Sequence, residues 1–249
     1  MEQGFSLLDL GSNYHRKSLL VQDGGEEMVK VPLVAIVVRI RDLTVLFDTG
    51  PDVSKGYLIM KQLNTVQDQS QRLEAQLSLL NLRPEDVDVV VISHLHYDHA
   101  GGIAKFKRVP ILIQGPELDY AYRPDWFYEG TYCRPDFDLP DVDYERLYGD
   151  YEIEYGLRVL SIPGHTPGTQ GLYVETPSNK RTIFVSDAIY TRDNYEPVKR
   201  KQGLDWNTAT WGSSVDKVKL MSRLRKAEIY PGHDPSFYAE KKFSPFVYK

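Results

Sequence analysis

One stretch of this chain decides its fold, the decapeptide SHLHYDHAGG at residues 93–102. It places three imidazoles and one carboxylate within the six residues 94–99. Clustered nitrogen and oxygen ligands of this kind are typical of zinc and related transition metals. The stretch therefore predicts a metal centre.

The residues before the histidines predict how their side chains are aimed. An apolar, β-branched run of strand length occupies residues 87–92. If the extended chain continues, alternation puts His94 and His96 on one side of it, toward one cation. Ala100-Gly101-Gly102 leads into a predicted helix. A turn before that helix would direct Asp98 and His99 toward a second metal position. The spacing thus favours two neighbouring metals.

Further candidate ligands come directly after three other apolar runs of strand length. They are His165 after residues 157–162, Asp187 after 182–186 and His233 after 228–230. Turns rich in proline and glycine hold the two histidines. Their shared placement after strands indicates that the side chains meet at one sheet edge, and five of the six histidines then belong to one pattern.

The order of these motifs resembles the metallo-β-lactamase superfamily of hydrolases, from about residue 34 to residue 233. The matching motifs are Asp48-Thr49-Gly50, His94-x-His96-x-Asp98-His99, Gly164-His165-Thr166-Pro167-Gly168, Ser186-Asp187 and Gly232-His233. Within the superfamily, Asp187 followed three residues later by Tyr190 is most similar to the N-acyl homoserine lactonase family, and pyridoxolactonases share most of the motifs. The resemblance implies an α/β fold, the αββα sandwich of two mixed β-sheets flanked by helices.

The resemblance also implies a role for each candidate side chain. His94, His96 and His165 would bind one divalent metal ion, Asp98, His99 and His233 a second, and Asp187 would bridge them. A hydroxide that bridges the metals would attack a lactone carbonyl. Asp98 and Tyr190 are the expected catalytic residues, although packing is the alternative for the tyrosine. Tyr97, inside the ligand run, is the expected pocket residue.

The expected cofactors are two divalent ions, with zinc as the metal that the histidine and carboxylate ligands suit. Iron, cobalt or manganese are compatible with the same ligands. The expected activity is the opening of N-acyl homoserine lactones, known as quorum quenching. Hydrolysis of another ester, lactone or thioester, as in a pyridoxolactonase, stays open, and a non-catalytic metal-binding module is the alternative outside enzymes.

Three other members of the superfamily do not fit. A nuclease needs a basic groove, whereas the net charge is -5. A flavodiiron oxidoreductase would have glutamate at the position of His96 and a flavin domain, and a glutathione thioester hydrolase would add a helical region after the metal core. We therefore expect a small lactone or ester as substrate and no nucleic acid partner.

Length and composition predict one domain over residues 1–249, with an insert rich in tyrosine and aspartate at about 115–155. Without a membrane-length apolar run or a signal peptide, we expect a cytoplasmic protein and no membrane partner. The single Cys133 excludes an internal disulfide and has no place in the ligand pattern. The basic run at 217–226 is typical of a helix with its charged face in solvent. Its apolar residues, expected to face inward, are Val218, Leu220, Met221 and Leu224.

Two features keep two interpretations each. Asp48 either caps a turn or supports a ligand from outside the metal centre. Residues 116–155 contain twelve acidic and three basic residues, and their aromatic side chains either form a wall for an acyl chain or pack helices or a dimer contact, so a homodimer stays open. These aromatic residues are Tyr120, Tyr122, Trp126, Phe127, Tyr128 and Tyr132.

Overall fold

Two packed β-sheets form the centre of the protein in a computed structural model, which describes residues 2–249. The first sheet has the strand order β1-β2-β3-β4-β5-β6, with β1 (Gly4–Arg16), β2 (Met28–Ile40), β3 (Leu43–Phe47), β4 (Val89–Val91), β5 (Ile111–Gln114) and β6 (Tyr144–Leu147). The second has the order β11-β10-β9-β8-β7, with β7 (Tyr151–Glu154), β8 (Leu157–Ser161), β9 (Gln170–Glu175), β10 (Arg181–Phe184) and β11 (Glu228–Tyr230).

Both sheets are mixed. In the first sheet β1, β2 and β3 pair antiparallel, whereas β3 to β6 pair parallel. In the second sheet only β10 and β11 pair parallel. Parallel neighbours require crossover connections, and these carry most of the helices. Because parallel strands also end at the same edge, the loops that follow β3 and β4 meet there.

Helices connect the strands, and some of them cover the outer face of each sheet. They are α1 (Lys17–Leu20), α2 (Leu58–Gln62), α3 (Leu73–Leu79), α4 (Tyr97–Ala100), α5 (Gly115–Ala121), α6 (Arg134–Phe137), α7 (Thr208–Arg225) and α8 (Pro235–Tyr238). Leu73 and Leu77 of α3 pack in the apolar cluster behind the first sheet. Trp211, Val215 and Val218 of α7 pack with Ile183 and Ile229 behind the second.

The main apolar layer lies between the two sheets. Leu7 and Val38 of the first sheet are fully buried against Val159 and Leu172 of the second. Phe5 packs edge-on against Phe184, with ring centroids 5.0 Å apart. The order helix, sheet, sheet, helix confirms the predicted αββα sandwich. Among residues 2–249, no helix is long and apolar enough to span a membrane.

Two local predictions were wrong. The helical turn after the ligand run begins at Tyr97, so Asp98 and His99 lie on α4 itself rather than in a turn before a helix. On α7, Leu220 and Leu224 are 48% and 70% exposed, whereas Val218 is buried as expected. The buried stripe of α7 passes through Trp211, Val215 and Val218, and a residue two positions further along a helix faces the opposite side.

The segment at 115–155 links the two sheets. It contains α5 and α6, then supplies β6 to the first sheet and β7 to the second. Its aromatic side chains have different surroundings. Tyr128 and Tyr132 are buried, whereas Trp126 is 85% exposed.

Candidate metal centre

The first ligand cluster consists of four buried side chains, His94, His96, His165 and Asp187, whose ligand atoms all lie within 4.8 Å of one another. The Nδ1 atom of His96 lies 3.0 Å from His94 Nε2 and 3.2 Å from His165 Nε2. Asp187 Oδ2 lies 3.6 Å from His94 Nε2 and 3.4 Å from His165 Nε2. Four donor atoms therefore point at one small volume.

The second cluster consists of Asp98, His99 and His233. Asp187 again contributes, because its other oxygen, Oδ1, lies 3.0 Å from His233 Nε2 and 3.2 Å from His99 Nε2. The two oxygens of one carboxylate thus face two different clusters. Asn13 of β1 donates to Asp98 Oδ2 over 3.1 Å and holds that side chain in place. The structure brings together all seven side chains that the sequence suggested as ligands.

Outer hydrogen bonds fix which nitrogen of each imidazole faces the second cluster. His99 Nδ1 donates to Asp48 Oδ2 over 2.8 Å, and His233 Nδ1 donates to the Pro32 carbonyl over 2.9 Å. With the proton on Nδ1, each Nε2 keeps its lone pair for a cation. His99 Nε2 and Asp187 Oδ1 are buried and make no hydrogen bond. These atoms fit a divalent metal ion.

A hydrogen bond from outside the cluster also orients an imidazole of the first cluster. Ser93 Oγ donates to Asp48 Oδ2 over 2.8 Å, so it can accept from His94 Nδ1, which is 3.0 Å away. Burial lowers the pKa of His94 and His96 well below the usual range, and it lowers the pKa of His165 to about 4. Neutral imidazoles are the form that binds metals.

Asp48 supports ligands of both clusters without entering either. Besides His99 and the Ser93 hydroxyl, its carboxylate accepts from the Ser93 backbone N–H over 2.7 Å. Asp48 follows β3, and the ligand run follows the parallel neighbour β4, so the two loops meet at one edge. Of the two interpretations of Asp48, the geometry supports the one in which it holds ligand side chains from outside the metal centre. Carboxylates that orient ligating histidines in this way commonly affect metal affinity.

Glu117 is a residue of this site that the sequence did not indicate. Its carboxylate is completely buried on α5. One oxygen accepts from the Leu95 N–H over 2.9 Å and the Tyr132 hydroxyl over 2.8 Å. The other accepts from the Thr166 hydroxyl over 2.5 Å and the Gly168 N–H over 3.2 Å. Glu117 therefore fastens the His94–His96 loop to the turn that carries His165.

The close approach of Glu117 explains the glycine that ends this turn. A Cβ atom added at Gly168 would lie 2.4 Å from the Cβ of Glu117 and 2.5 Å from its backbone nitrogen. Only glycine leaves room for that contact. Burial raises the pKa of Glu117, and the donors around the carboxylate oppose that shift.

A cavity of about 210 Å³ opens onto both clusters. Its polar floor includes His96, Asp98, His165, Asp187 and His233, and its walls are His15, Leu19, Leu20, Ile59, Leu63, Tyr97, Phe127, Thr131, Tyr190 and Leu204. The Tyr190 hydroxyl lies 3.3 Å from His165 Nδ1. Tyr97 lines the cavity, and its hydroxyl lies 3.1 Å from Thr65 Oγ1. Cys133 is in neither cluster, and burial raises the pKa of its thiol to about 12.

Comparison with known families identifies the class of protein. The family model described as the Metallo-beta-lactamase superfamily matches residues 31–233, a span that contains every residue of both clusters. The sandwich fold and the paired clusters at its sheet edge are thus those of a metallo-β-lactamase superfamily protein.

Individual relatives give the finer family. The N-acyl homoserine lactonase AttM of Rhizobium radiobacter is 38% identical over 189 residues, 74% of this chain and 72% of that protein. The N-acyl homoserine lactonase AiiA of Bacillus thuringiensis subsp. kurstaki is 30% identical over 217 residues, 84% and 83% of the two chains. A crystal structure of a B. thuringiensis AiiA mutant with N-decanoyl-L-homoserine at its active site matches with a TM-score of 0.88, 25% identity and 99% coverage of both chains. The chain belongs to the metallo-β-lactamase superfamily and, within it, to the N-acyl homoserine lactonase family.

Proposed function

We propose that this protein opens the lactone ring of N-acyl homoserine lactones with the help of two divalent metal ions. The observation that carries the proposal is Asp187, whose two carboxylate oxygens face two separate ligand clusters on the floor of one cavity. The activity is the one for which the relatives AttM and AiiA are named. Zinc is the metal that we propose, since histidine and carboxylate ligands suit it.

Each cluster would hold one ion. The ligands are His94, His96 and His165 for the first, Asp98, His99 and His233 for the second, and Asp187 for both. Bound there, two divalent ions supply an activated water and polarise the scissile carbonyl. The protein's own contribution is to keep the ligands aimed, through Asp48 and Glu117, and to enclose the substrate in the cavity.

The cavity walls favour a neutral substrate with an apolar tail. Leu19, Leu20, Ile59, Leu63 and Phe127 offer apolar surface for an acyl chain. No lysine or arginine occurs among the described lining residues, whereas two aspartates do. A substrate carboxylate would have no cationic side chain to pair with. We therefore propose acyl homoserine lactones over anionic lactones and β-lactams.

Tyr190 is the proposed partner of the oxygen that becomes negative as the ring opens. Its hydroxyl lines the cavity beside His165. We expect Tyr190→Phe to bind both metals normally and to lower kcat for N-hexanoyl homoserine lactone about 10-fold, because a donor aimed at developing charge acts in the transition state. Steady-state kinetics and elemental analysis measure the two effects. An unchanged kcat would leave Tyr190 with a packing role.

The experiment that tests the function combines metal content with a panel of substrates. Purified protein is expected to carry about two metals per chain, to open N-hexanoyl and N-decanoyl homoserine lactones, and to lose activity on chelation. Adding Zn²⁺ back should restore the activity. A penicillin and an anionic lactone serve as comparison substrates. The proposed function is wrong if protein with two bound metals turns over no lactone. The proposed pair of metals is wrong if active protein holds only one metal per chain.

Two broader features are proposed on sequence grounds alone. The single cysteine supports a cytoplasmic location. The length of the chain supports one domain over residues 1–249.

A further inference from the structure

His15 is the one histidine that belongs to neither ligand cluster. It lies near the end of β1, and its side chain forms part of the cavity wall beside Leu19 and Leu20. Its ring centroid is 6.4 Å from that of His233, a residue of the second cluster. His15 is therefore close to the place where a substrate would react, without being aimed at the same volume as the ligands.

The imidazole of His15 has an unused hydrogen-bonding atom. Its Nδ1 is buried and has no partner in the structure. A buried polar atom without a partner is unfavourable, so a ligand that supplies a partner gains affinity. Burial lowers the pKa of His15 to about 4. A neutral imidazole offers one donor and one acceptor.

The other polar side chains of the wall each have a hydrogen-bond partner, and of these only the Tyr190 hydroxyl, which can accept from His165 Nδ1, has a proposed role toward the substrate. The Thr131 hydroxyl donates to the Tyr128 carbonyl over 2.7 Å. The hydroxyls of Tyr97 and Tyr190 lie within hydrogen-bonding distance of Thr65 and His165. Among the described wall residues that are not ligands, His15 is thus the one with a buried polar atom that has no hydrogen-bond partner.

The chemistry of the proposed substrate places a polar group near this atom. In an N-acyl homoserine lactone the amide nitrogen is attached to the ring carbon next to the scissile carbonyl. If the scissile carbonyl lies beside Asp187, the amide nitrogen is two bonds from the carbonyl carbon, and His15 is a wall residue whose ring centroid lies 6.4 Å from that of His233. Further out, the wall offers leucine and isoleucine side chains, which suit the acyl chain but not an amide.

We propose that His15 hydrogen bonds the amide of the substrate and so selects lactones that carry an acylamino group beside the ring. This inference rests on the proposed lactonase function and adds a residue that determines specificity. His15 acts on binding and orientation, not on the metals.

The test compares two substrates in three variants of His15. The substrates are N-hexanoyl homoserine lactone and a γ-alkyl lactone of similar length without an amide. His15→Phe keeps the ring shape but has no polar atom, and we expect it to lower kcat/KM for the acyl homoserine lactone about 10-fold or more, while the γ-alkyl lactone stays within about twofold. His15→Asn and His15→Gln place an amide near the positions of Nδ1 and Nε2, respectively, and at least one of them should recover most of the loss.

Tyr14→Phe is the matched control, because Tyr14 is the neighbour on β1, is absent from the cavity lining and should change neither rate. Metal content and melting temperature establish that each variant is folded and loaded. Equal losses on both substrates, or no loss in His15→Phe, would overturn the inference. If the wild-type protein opens neither lactone, the proposed function fails, and the inference falls with it. If the wild type opens only the γ-alkyl lactone, the proposed activity on acyl homoserine lactones and the role of His15 are both wrong. If the wild type opens the acyl homoserine lactone and His15→Phe leaves its kcat/KM unchanged, the role of His15 alone is wrong.

Discussion

Asp187→Ala is expected to lose at least one metal per chain and about 1,000-fold in kcat/KM for acyl homoserine lactones. Asp187 is the one carboxylate among the described cluster residues whose two oxygens face both clusters, and those oxygens lie 3.0–3.6 Å from four imidazole nitrogens. Without this carboxylate, two cations bound at the proposed sites would lack the shared negative charge that holds them close together. Several kcal/mol of electrostatic stabilisation in the transition state correspond to about three orders of magnitude in rate.

Two further variants separate the bridge from general effects of losing a carboxylate. Asp187→Asn keeps the shape and one oxygen ligand, so we expect it to retain one metal and a small part of the activity. Asp193→Ala removes an exposed carboxylate six residues away and should behave like wild type. Elemental analysis, isothermal titration with Zn²⁺ and lactone kinetics measure the outcome. Two tightly bound metals in Asp187→Ala would show that the clusters do not depend on a bridge.

The ligand positions were accessible from the sequence because the geometry behind them is local. Four of the seven ligand candidates lie within residues 94–99, and the other three come just after β8, β10 and β11. Strand ends that share an edge bring such residues together regardless of how long the connections are. The αββα arrangement followed from the resemblance, since the order of strands and helices alone indicates only an α/β protein.

Glu117 and His15 could not be found in the same way. Glu117 acts through partners that are 22 and 49 residues away. In the sequence it is one of many acidic residues near the start of a helix. His15 lies on a strand whose pattern says which face is buried but not that the buried face opens into a cavity. The roles of Glu117 and His15 both depend on contacts between segments that are distant in the sequence. The periodicity of apolar residues predicts only local structure.

Helix α7 shows a related limit. Leu220 and Leu224 are apolar and spaced as a buried pair would be, yet the helix packs through Trp211, Val215 and Val218. Which stripe of a helix is buried depends on the sheet beneath it, and several apolar residues on a large surface stay exposed in ordinary proteins. The sequence pattern predicted helix α7, whereas packing against the second sheet determined which face of the helix is buried.

Glu117→Ala is expected to destabilise the fold by about 3–5 kcal/mol, because four buried donors, two of them backbone N–H groups, lose their acceptor. For a chain of this length, that change corresponds to a melting temperature lower by about 10 °C. Metal affinity should fall as well, since Glu117 fastens the loop of His94 and His96 to the turn of His165. Glu117→Gln should also destabilise, since an amide brings an NH₂ group against donors.

Asp119→Ala is the matched control for Glu117, because it removes a carboxylate from the same helix. Asp119 is exposed and paired with Arg146 at the surface, an interaction that contributes at most about 1 kcal/mol. Thermal unfolding with and without Zn²⁺ distinguishes a loss of fold stability from a loss of ligand positioning. Zn²⁺ should raise the melting temperature of Asp119→Ala as much as that of the wild type. It should raise the melting temperature of Glu117→Ala less. Equal melting temperatures for the two variants would mean that the four bonds to Glu117 do not hold the site together.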